Sequence, residues 1–293
     1  MFKKIMLTTA ITSILALPAF TCTIDGKEGL LPENNEWIST DAKSMANANL
    51  DEAKFNEVID SVVTVYAPII SSMGGKLKVE RNWDDGTVNA YASRRSGTWN
   101  VAMFGGLARH QTITPDGFAL VVCHEVGHHI GGAPKKASWM SSWASNEGQS
   151  DYFATLKCLR KVFRSDNNIE IMAKVKVPAA VVTTCAAQFN NSSDQALCQR
   201  GAMAGMSTAR LFQELRKQPD APKFTTPDSK VVKKTDDAHP ATQCRLDTYY
   251  AGAICGQIDA DDVDQANEDE GVCYRANGDS TGVRPKCWFA AKK

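Results

Sequence analysis

The chain lacks an excess of charge of either sign. Lysine and arginine total 33 residues, aspartate and glutamate also total 33, and the formal net charge is +0. A protein that recognises nucleic acid or an anionic membrane surface by electrostatics needs a strong positive field. The composition therefore favours neither partner.

Long hydrophobic runs are absent beyond the first twenty residues, and the sequence contains no Cys-x-x-Cys pair and no internal repeat. A membrane-spanning helix needs about 20 predominantly apolar residues, so none is predicted after that point. The missing Cys-x-x-Cys spacing argues against cysteine metal ligands. The 293 residues are enough to bury one large core or two small ones.

The N-terminus differs from the rest of the chain. Lys3 and Lys4 precede an apolar run that ends in small residues near Ala19. This order is typical of a secretory signal, which we assign to residues 1–19, with an N-terminal membrane anchor as the alternative. A lipid anchor through Cys22 is disfavoured because the two residues before it suit lipidation poorly. We predict an exported protein, periplasmic or secreted.

Cysteine usage agrees with export. Eight cysteines follow the signal region, an even number that can pair in an oxidising compartment: Cys123, Cys158, Cys185, Cys198, Cys244, Cys255, Cys273 and Cys287. Connectivity does not follow from sequence. We prefer Cys185 with Cys198 and Cys273 with Cys287, because each pair brackets a polar or turn-rich segment.

The remaining pattern predicts an α+β fold that is mostly helical. Residues 20–48 have few periodic apolar positions and are predicted to be a loosely structured leader or a pro-segment. The main domain is placed at 49–256, and a disulfide-closed tail at 257–293. Apolar positions at helical spacing predict a helix capped by Asn49. The span 217–237 is predicted to be an exposed loop.

Three short segments between turn signals have the composition of strands. They cover residues 76–80, 87–93 and 98–104 and predict a small antiparallel sheet. If the last strand lies at an edge of that sheet, its main chain could pair with an extended peptide.

The chemistry-bearing stretch begins at Thr114, where a capping hydroxyl and a proline at the first helical position predict a helix. His124 and His128 are four residues apart, so they lie on one helical face. In a His-Glu-x-x-His run the two imidazoles bind zinc, and the intervening Glu125 is the general base. Catalytic zinc uses three protein ligands, so a third is required.

A second helix, predicted to be capped by Ser145, supplies that ligand. Glu147 can return over His128, and Asp151 lies one turn further on the same face. Asp151 can accept a hydrogen bond from the far nitrogen of a ligand histidine, as zinc-bound imidazoles commonly require. The sequence therefore predicts one zinc ion per chain.

These motifs resemble the gluzincin metallopeptidases. The Asn146-Glu147-x-x-Ser150-Asp151 element is similar to that of thermolysin-type enzymes. Other elements are more similar to the family of the CAAX-prenyl endopeptidase and the HtpX heat-shock protease, in its soluble exported branch: Val88-Asn89-Ala90-Tyr91 before the helix, and His239-Pro240 with Arg245 after it.

The resemblance implies a zincin-like fold with the sheet beside the active-site helix, and zinc held by His124, His128 and Glu147. It implies a metalloendopeptidase acting on peptide or protein substrates, with Glu125 as base and proton shuttle and Asp151 orienting His124. The mechanism also needs a donor for the tetrahedral oxyanion. The candidates for that donor or for substrate contacts, with His239 first, are His239, Arg245, Tyr249 and Tyr250.

Two other functions remain open. The chain could be a zinc-holding chaperone or scaffold protein with little or no turnover. It could also be a zinc amidase that acts on non-protein amides, because the same motif is chemically adequate for that reaction.

Overall fold

The computed structural model describes residues 29–30, 36–137, 142–257 and 259–291. The predicted signal at 1–19 and Cys22 lie outside the described residues. Within the described ranges, no helix combines the length and apolar character that a bilayer crossing requires.

The described chain is mostly helical and also contains one small sheet, so the α+β prediction is confirmed. The α-helices are α1 (Ala42–Asn47), α2 (Glu52–Ser72), α3 (Gly105–Arg109), α4 (Pro115–Ile130), α5 (Glu147–Phe153), α6 (Leu159–Phe163), α7 (Asn168–Ala173), α8 (Ala179–Gln188), α9 (Ser192–Leu215) and α10 (Thr242–Ile254). A π-helical segment, Ala154–Cys158, joins α5 to α6, and a 3-10 turn covers Arg275–Asn277.

The sheet has three strands, β1 (Lys76–Asn82), β2 (Ala90–Arg95) and β3 (Thr98–Phe104), in the order β1-β3-β2. β2 and β3 form an antiparallel hairpin, whereas β1 runs parallel to β3. The predicted antiparallel sheet is therefore wrong for β1, because that strand reaches β3 by a long-range connection and not by a tight turn. β3 is central, so it has no free edge for a peptide.

α4 forms the buried centre of the fold. The Thr114 hydroxyl accepts a hydrogen bond from the Gly117 amide, Pro115 occupies the first turn, and the helix ends at Gly131. The cap and the proline confirm the predicted start. Every residue from Gly117 to Ile130 is buried, so its polar side chains must find partners inside the protein.

Gly127 sets the distance between α4 and α5. A Cβ at this position would lie 3.1 Å from the Phe153 ring and 3.2 Å from the Ser150 backbone. The absent side chain lets the two helices approach closely. α5 is capped by the Asn146 side chain, which accepts from the Gln149 amide, so the predicted Ser145 cap is wrong by one residue. The predicted Asn49 cap of α2 is wrong by two residues, because the Asp51 side chain accepts from the Lys54 amide.

Four disulfides fix the helices and the tail: Cys123–Cys158, Cys185–Cys198, Cys244–Cys287 and Cys255–Cys273. The local pair Cys185–Cys198 confirms its prediction. The predicted Cys273–Cys287 pair is wrong, because the tail packs along α10 and each of its cysteines meets a different end of that helix. The four bonds fit an exported protein.

The described residues just before α2 and those after α10 pack against the rest of the fold. Trp37 forms an antiparallel bridge with Thr87, and α1 follows. These features exceed the loose structure expected for residues 20–48. In the tail, Trp288 is fully buried and belongs to the same apolar core as α4.

Candidate metal centre

Two histidines of α4 and the first residue of α5 meet in the interior. His124 Nε2 lies 3.3 Å from Glu147 Oε2, and His128 Nε2 lies 3.7 Å from Glu147 Oε1. One ligand atom from each of the three side chains can be chosen so that all lie within 4.8 Å of one another. This group could hold a metal ion, and it brings together the three predicted ligands.

The cluster contains buried polar atoms that the described residues do not satisfy. His124 Nε2 and Glu147 Oε2 face each other, yet neither makes a hydrogen bond. A buried polar atom without a partner costs free energy. A cation shared by the imidazoles and the carboxylate would remove that cost, so the donor set fits a metal ion.

Asp151 supports His124 from the side away from Glu147. Its Oδ1 lies 2.7 Å from His124 Nδ1, and Arg245 pairs with both carboxylate oxygens at 2.8 and 2.6 Å. Burial opposes ionisation of Asp151, but Arg245 and His124 hold its pKa below the ordinary value. The ionised carboxylate fixes the His124 ring with Nε2 toward Glu147.

His128 is oriented by the connection before α5 and by α5 itself. Its Nδ1 donates to the Ser145 carbonyl at 2.9 Å, and the Ser150 hydroxyl lies 3.0 Å away. This assigns the proton to Nδ1 and leaves Nε2 as a lone-pair donor toward Glu147. Burial holds the pKa of His128 well below its ordinary value, so the ring is neutral, as a metal ligand must be.

The electrostatics of His124 differ from those of His128. Burial lowers the pKa of His124, but Asp151, Glu147 and Glu125 outweigh it and raise the pKa to about 9. The surroundings of this ring therefore attract a cation, either a proton or a metal ion.

Glu125 is buried beside the cluster, with 1 % of its surface exposed. Burial raises its pKa to about 7, although the neighbouring His124 acts in the opposite direction. Its Oε1 makes no hydrogen bond to the described residues. A carboxyl with a pKa near neutrality and an available oxygen can take up and release a proton.

The four proposed donor residues are placed differently. His239 Nε2 lies 3.2 Å from Glu147 Oε2, so His239 joins the cluster. Arg245 is fully buried and engaged with Asp151, and the Tyr249 ring lies 5.9 Å from its guanidinium. Tyr250 packs on Phe224 in a second apolar cluster, and its hydroxyl lies 3.5 Å from a main-chain carbonyl of α8.

Lys136 is a residue of the site that no sequence pattern predicts. Its Nζ lies 2.7 Å from Glu147 Oε1. It belongs to the connection between α4 and α5, where no periodicity constrains the position of a side chain. Neighbouring lysines in a polar connection ordinarily predict a solvated surface, so no sequence signal identified it.

The sheet side of α4 carries a second histidine environment. The His129 ring stacks between Trp99 and Trp143, with centroids 5.5 and 5.0 Å away. Its Nδ1 accepts from Arg94 at 3.2 Å, and its Nε2 donates to the Asn100 carbonyl at 3.0 Å. Both ring nitrogens have partners, so His129 has a packing role.

Comparison with known proteins adds no assignment. The chain matches no model of a known protein family, no curated protein and no solved structure. The geometry of the site is therefore the basis for a proposed function.

Proposed function

We propose that this protein is an exported zinc metalloendopeptidase that hydrolyses peptide bonds. The observation that carries the proposal is the facing pair of unsatisfied buried atoms, His124 Nε2 and Glu147 Oε2, with the Glu125 carboxyl beside them. Two imidazoles, one carboxylate and one open position are a common donor set of hydrolytic zinc.

His124, His128 and Glu147 would hold the zinc ion. When bound, zinc supplies Lewis-acid polarisation of a carbonyl oxygen and makes water more acidic. Asp151 and Arg245 hold His124 in position, while the Ser145 carbonyl and the Ser150 hydroxyl do the same for His128. Hydrogen bonds and an ion pair within the fold therefore orient both imidazole rings before a metal ion binds.

Glu125 performs the proton transfers. It accepts the proton of the water that attacks the peptide carbonyl, and the resulting carboxylic acid donates that proton to the departing amine. His239 is the candidate donor for the oxyanion, because its side chain lies beside Glu147 and remains 13 % exposed. Its position allows contact with a substrate that arrives from solvent.

The test combines metal content with activity. The wild type should bind one zinc ion per chain and cleave unfolded casein or a peptide library in a chelator-sensitive manner. Glu125→Gln should retain the zinc and lose activity by roughly 10²–10⁴-fold, because only the proton transfer is removed. Full chelator-sensitive activity in Glu125→Gln would refute the proposal, whereas stoichiometric zinc without any cleavage would favour the scaffold function.

A further inference from the structure

A segment of the chain itself lies against the metal centre. The Gly29 carbonyl oxygen is 3.0 Å from His239 Nε2. That same nitrogen is 3.2 Å from Glu147 Oε2. One imidazole therefore separates the main chain at Gly29 from the carboxylate that would bind the metal.

The next residue is held through both of its main-chain polar groups. The Leu30 amide donates to the Ala90 carbonyl at 2.9 Å and to Asn89 Oδ1 at 2.8 Å. Its carbonyl accepts from Arg245 Nη1 at 3.1 Å. The Leu30 side chain is only 2 % exposed and belongs to the main core.

These contacts follow the start of β2, an edge strand of the sheet. Further along, Val88 donates to the Glu36 carbonyl, and Ile38 donates to the Gly86 carbonyl. Main-chain hydrogen bonds therefore join residues 86–90 to Leu30 and also to Glu36 and Ile38. An extended peptide that binds to a sheet edge uses the same kind of bonds.

The close fit depends on glycine at position 29. Gly29 has a φ of +50°, and a Cβ there would lie 2.3 Å from Asn89 Oδ1. Any larger residue would push the segment away from Asn89. The absence of a side chain at Gly29 thus allows the backbone to lie directly against Asn89.

We propose that the Gly29–Leu30 segment is an internal inhibitor that occupies the substrate position beside His239 and Glu147. A peptide substrate that pairs with the start of β2 and contacts His239 must displace it, so the chain is latent while the segment is in place. This inference rests on the proposed peptidase function, which supplies the substrate that the segment excludes.

Two buried leucines near the N-terminus provide a matched test. Leu30 touches the site, whereas Leu50, which is 1 % exposed, lies just before the α2 cap Asp51. Leu30→Ala and Leu50→Ala remove the same atoms from the core, but only Leu30→Ala weakens the segment. Gly29→Ala offers a second way to displace it without removing apolar surface.

Three rates are compared for the zinc-loaded full chain: peptide cleavage as kcat/KM, zinc transfer to a chromogenic chelator, and modification of His239 by diethylpyrocarbonate, located by mass spectrometry. Leu30→Ala and Gly29→Ala should raise all three rates by at least about fivefold. Only molecules in which the segment has moved away can react, so each apparent rate scales with the fraction of open molecules. Leu50→Ala should leave all three near the wild-type values.

Equal effects of Leu30→Ala and Leu50→Ala would overturn the inference, as would loss of activity in Leu30→Ala and Gly29→Ala with zinc still bound. If Leu30→Ala does not fold, Gly29→Ala decides by the same readouts. Failure of the proposed function is distinguishable, because zinc or Glu125-dependent cleavage would then be absent from Leu30→Ala and Gly29→Ala as well as from the wild type. Failure of this inference alone leaves both of those intact.

Discussion

Histidines on the two sides of α4 have different surroundings. On the side that faces α5, His124 and His128 meet Glu147. On the side that faces the sheet, His129 is enclosed by Trp99 and Trp143. His128 and His129 are neighbours in sequence, and a rotation of about 100° around the helix separates their environments.

The difference lies in how completely each ring is satisfied. Both nitrogens of His129 have hydrogen-bond partners, and burial lowers its pKa to about 3. His124 Nε2 lies 3.3 Å from Glu147 Oε2 but makes no hydrogen bond, and nearby acids outweigh the burial of His124 and raise its pKa to about 9. A candidate site is therefore recognised by buried polar atoms that the fold leaves unsatisfied, and not by histidine as such.

The largest expected effect separates the two neighbouring histidines. His128→Ala should reduce zinc affinity by more than about 100-fold, because loss of a ligand costs more than loss of a residue that orients one. His129→Ala should keep one zinc per chain. Equilibrium dialysis with metal analysis measures both variants, and equal zinc loss in the two would contradict the division of α4 into two sides.

The second prediction concerns the support of His124. Asp151→Asn should lower zinc affinity about 10–100-fold, and the uncompensated charge of Arg245 should lower the free energy of unfolding by about 3–5 kcal/mol. Asp116→Asn is the matched control, because Asp116 pairs with Arg200 outside the cluster. Zinc titration and denaturant unfolding give both quantities. An unchanged zinc affinity in Asp151→Asn would show that the buried ion pair serves stability alone.

The third prediction tests the sheet side. The Arg94 guanidinium lies 3.4 Å from the Trp99 ring centre and donates to His129. Arg94→Met should lower the free energy of unfolding by about 1–2 kcal/mol, since it removes a cation–π contact and hydrogen bonds, and should leave zinc affinity unchanged. The exposed neighbour Arg95 supplies the control Arg95→Met. If Arg94→Met weakened zinc binding, the two sides would not be independent.

The smallest effect comes from a half-buried acid outside both sides of α4. Burial raises the pKa of Asp247 to about 6, although hydrogen bonds from the Asp228 amide and Gln243 oppose the shift. The folded state therefore binds this proton more tightly than the unfolded chain, whose aspartate pKa is about 3.9. The stabilisation is full below about pH 3.9 and is lost as the pH rises through 6.

Wild type and Asp247→Asn should consequently differ in pH dependence. Between pH 4 and 7 the wild type should lose about 1 kcal/mol relative to the variant, allowing for solvent that reaches this half-buried group. Thermal unfolding at several pH values measures the change, and any constant offset between the proteins cancels. Parallel curves would contradict the raised pKa.

Local features of the sequence predict much of the candidate site. Thr114 and Pro115 mark the start of α4, and the four-residue spacing puts His124 and His128 on one face. The pair Cys185–Cys198 closes a short local segment. In each case the determining interactions lie within a few residues or one loop, so periodicity and capping are sufficient.

Long-range contacts account for the features that the sequence did not predict. Lys136 reaches Glu147 across a connection without regular structure. β1 joins β3 in parallel, although nothing local specifies its partner or direction. Cys273 and Cys287 bond to opposite ends of α10 because the tail packs along that helix. Each outcome depends on the packing of elements far apart in the chain.

The sequence by itself determined which groups could bind a metal ion, since residue type and helical spacing set the donors and their common face. Only the tertiary structure decided which histidine nitrogens stay unsatisfied, because that depends on the carboxylates, carbonyls and rings that other elements bring to α4. It also placed Gly29 and Leu30 beside His239 and Arg245. A contact between residues more than two hundred positions apart follows from packing, not from local pattern.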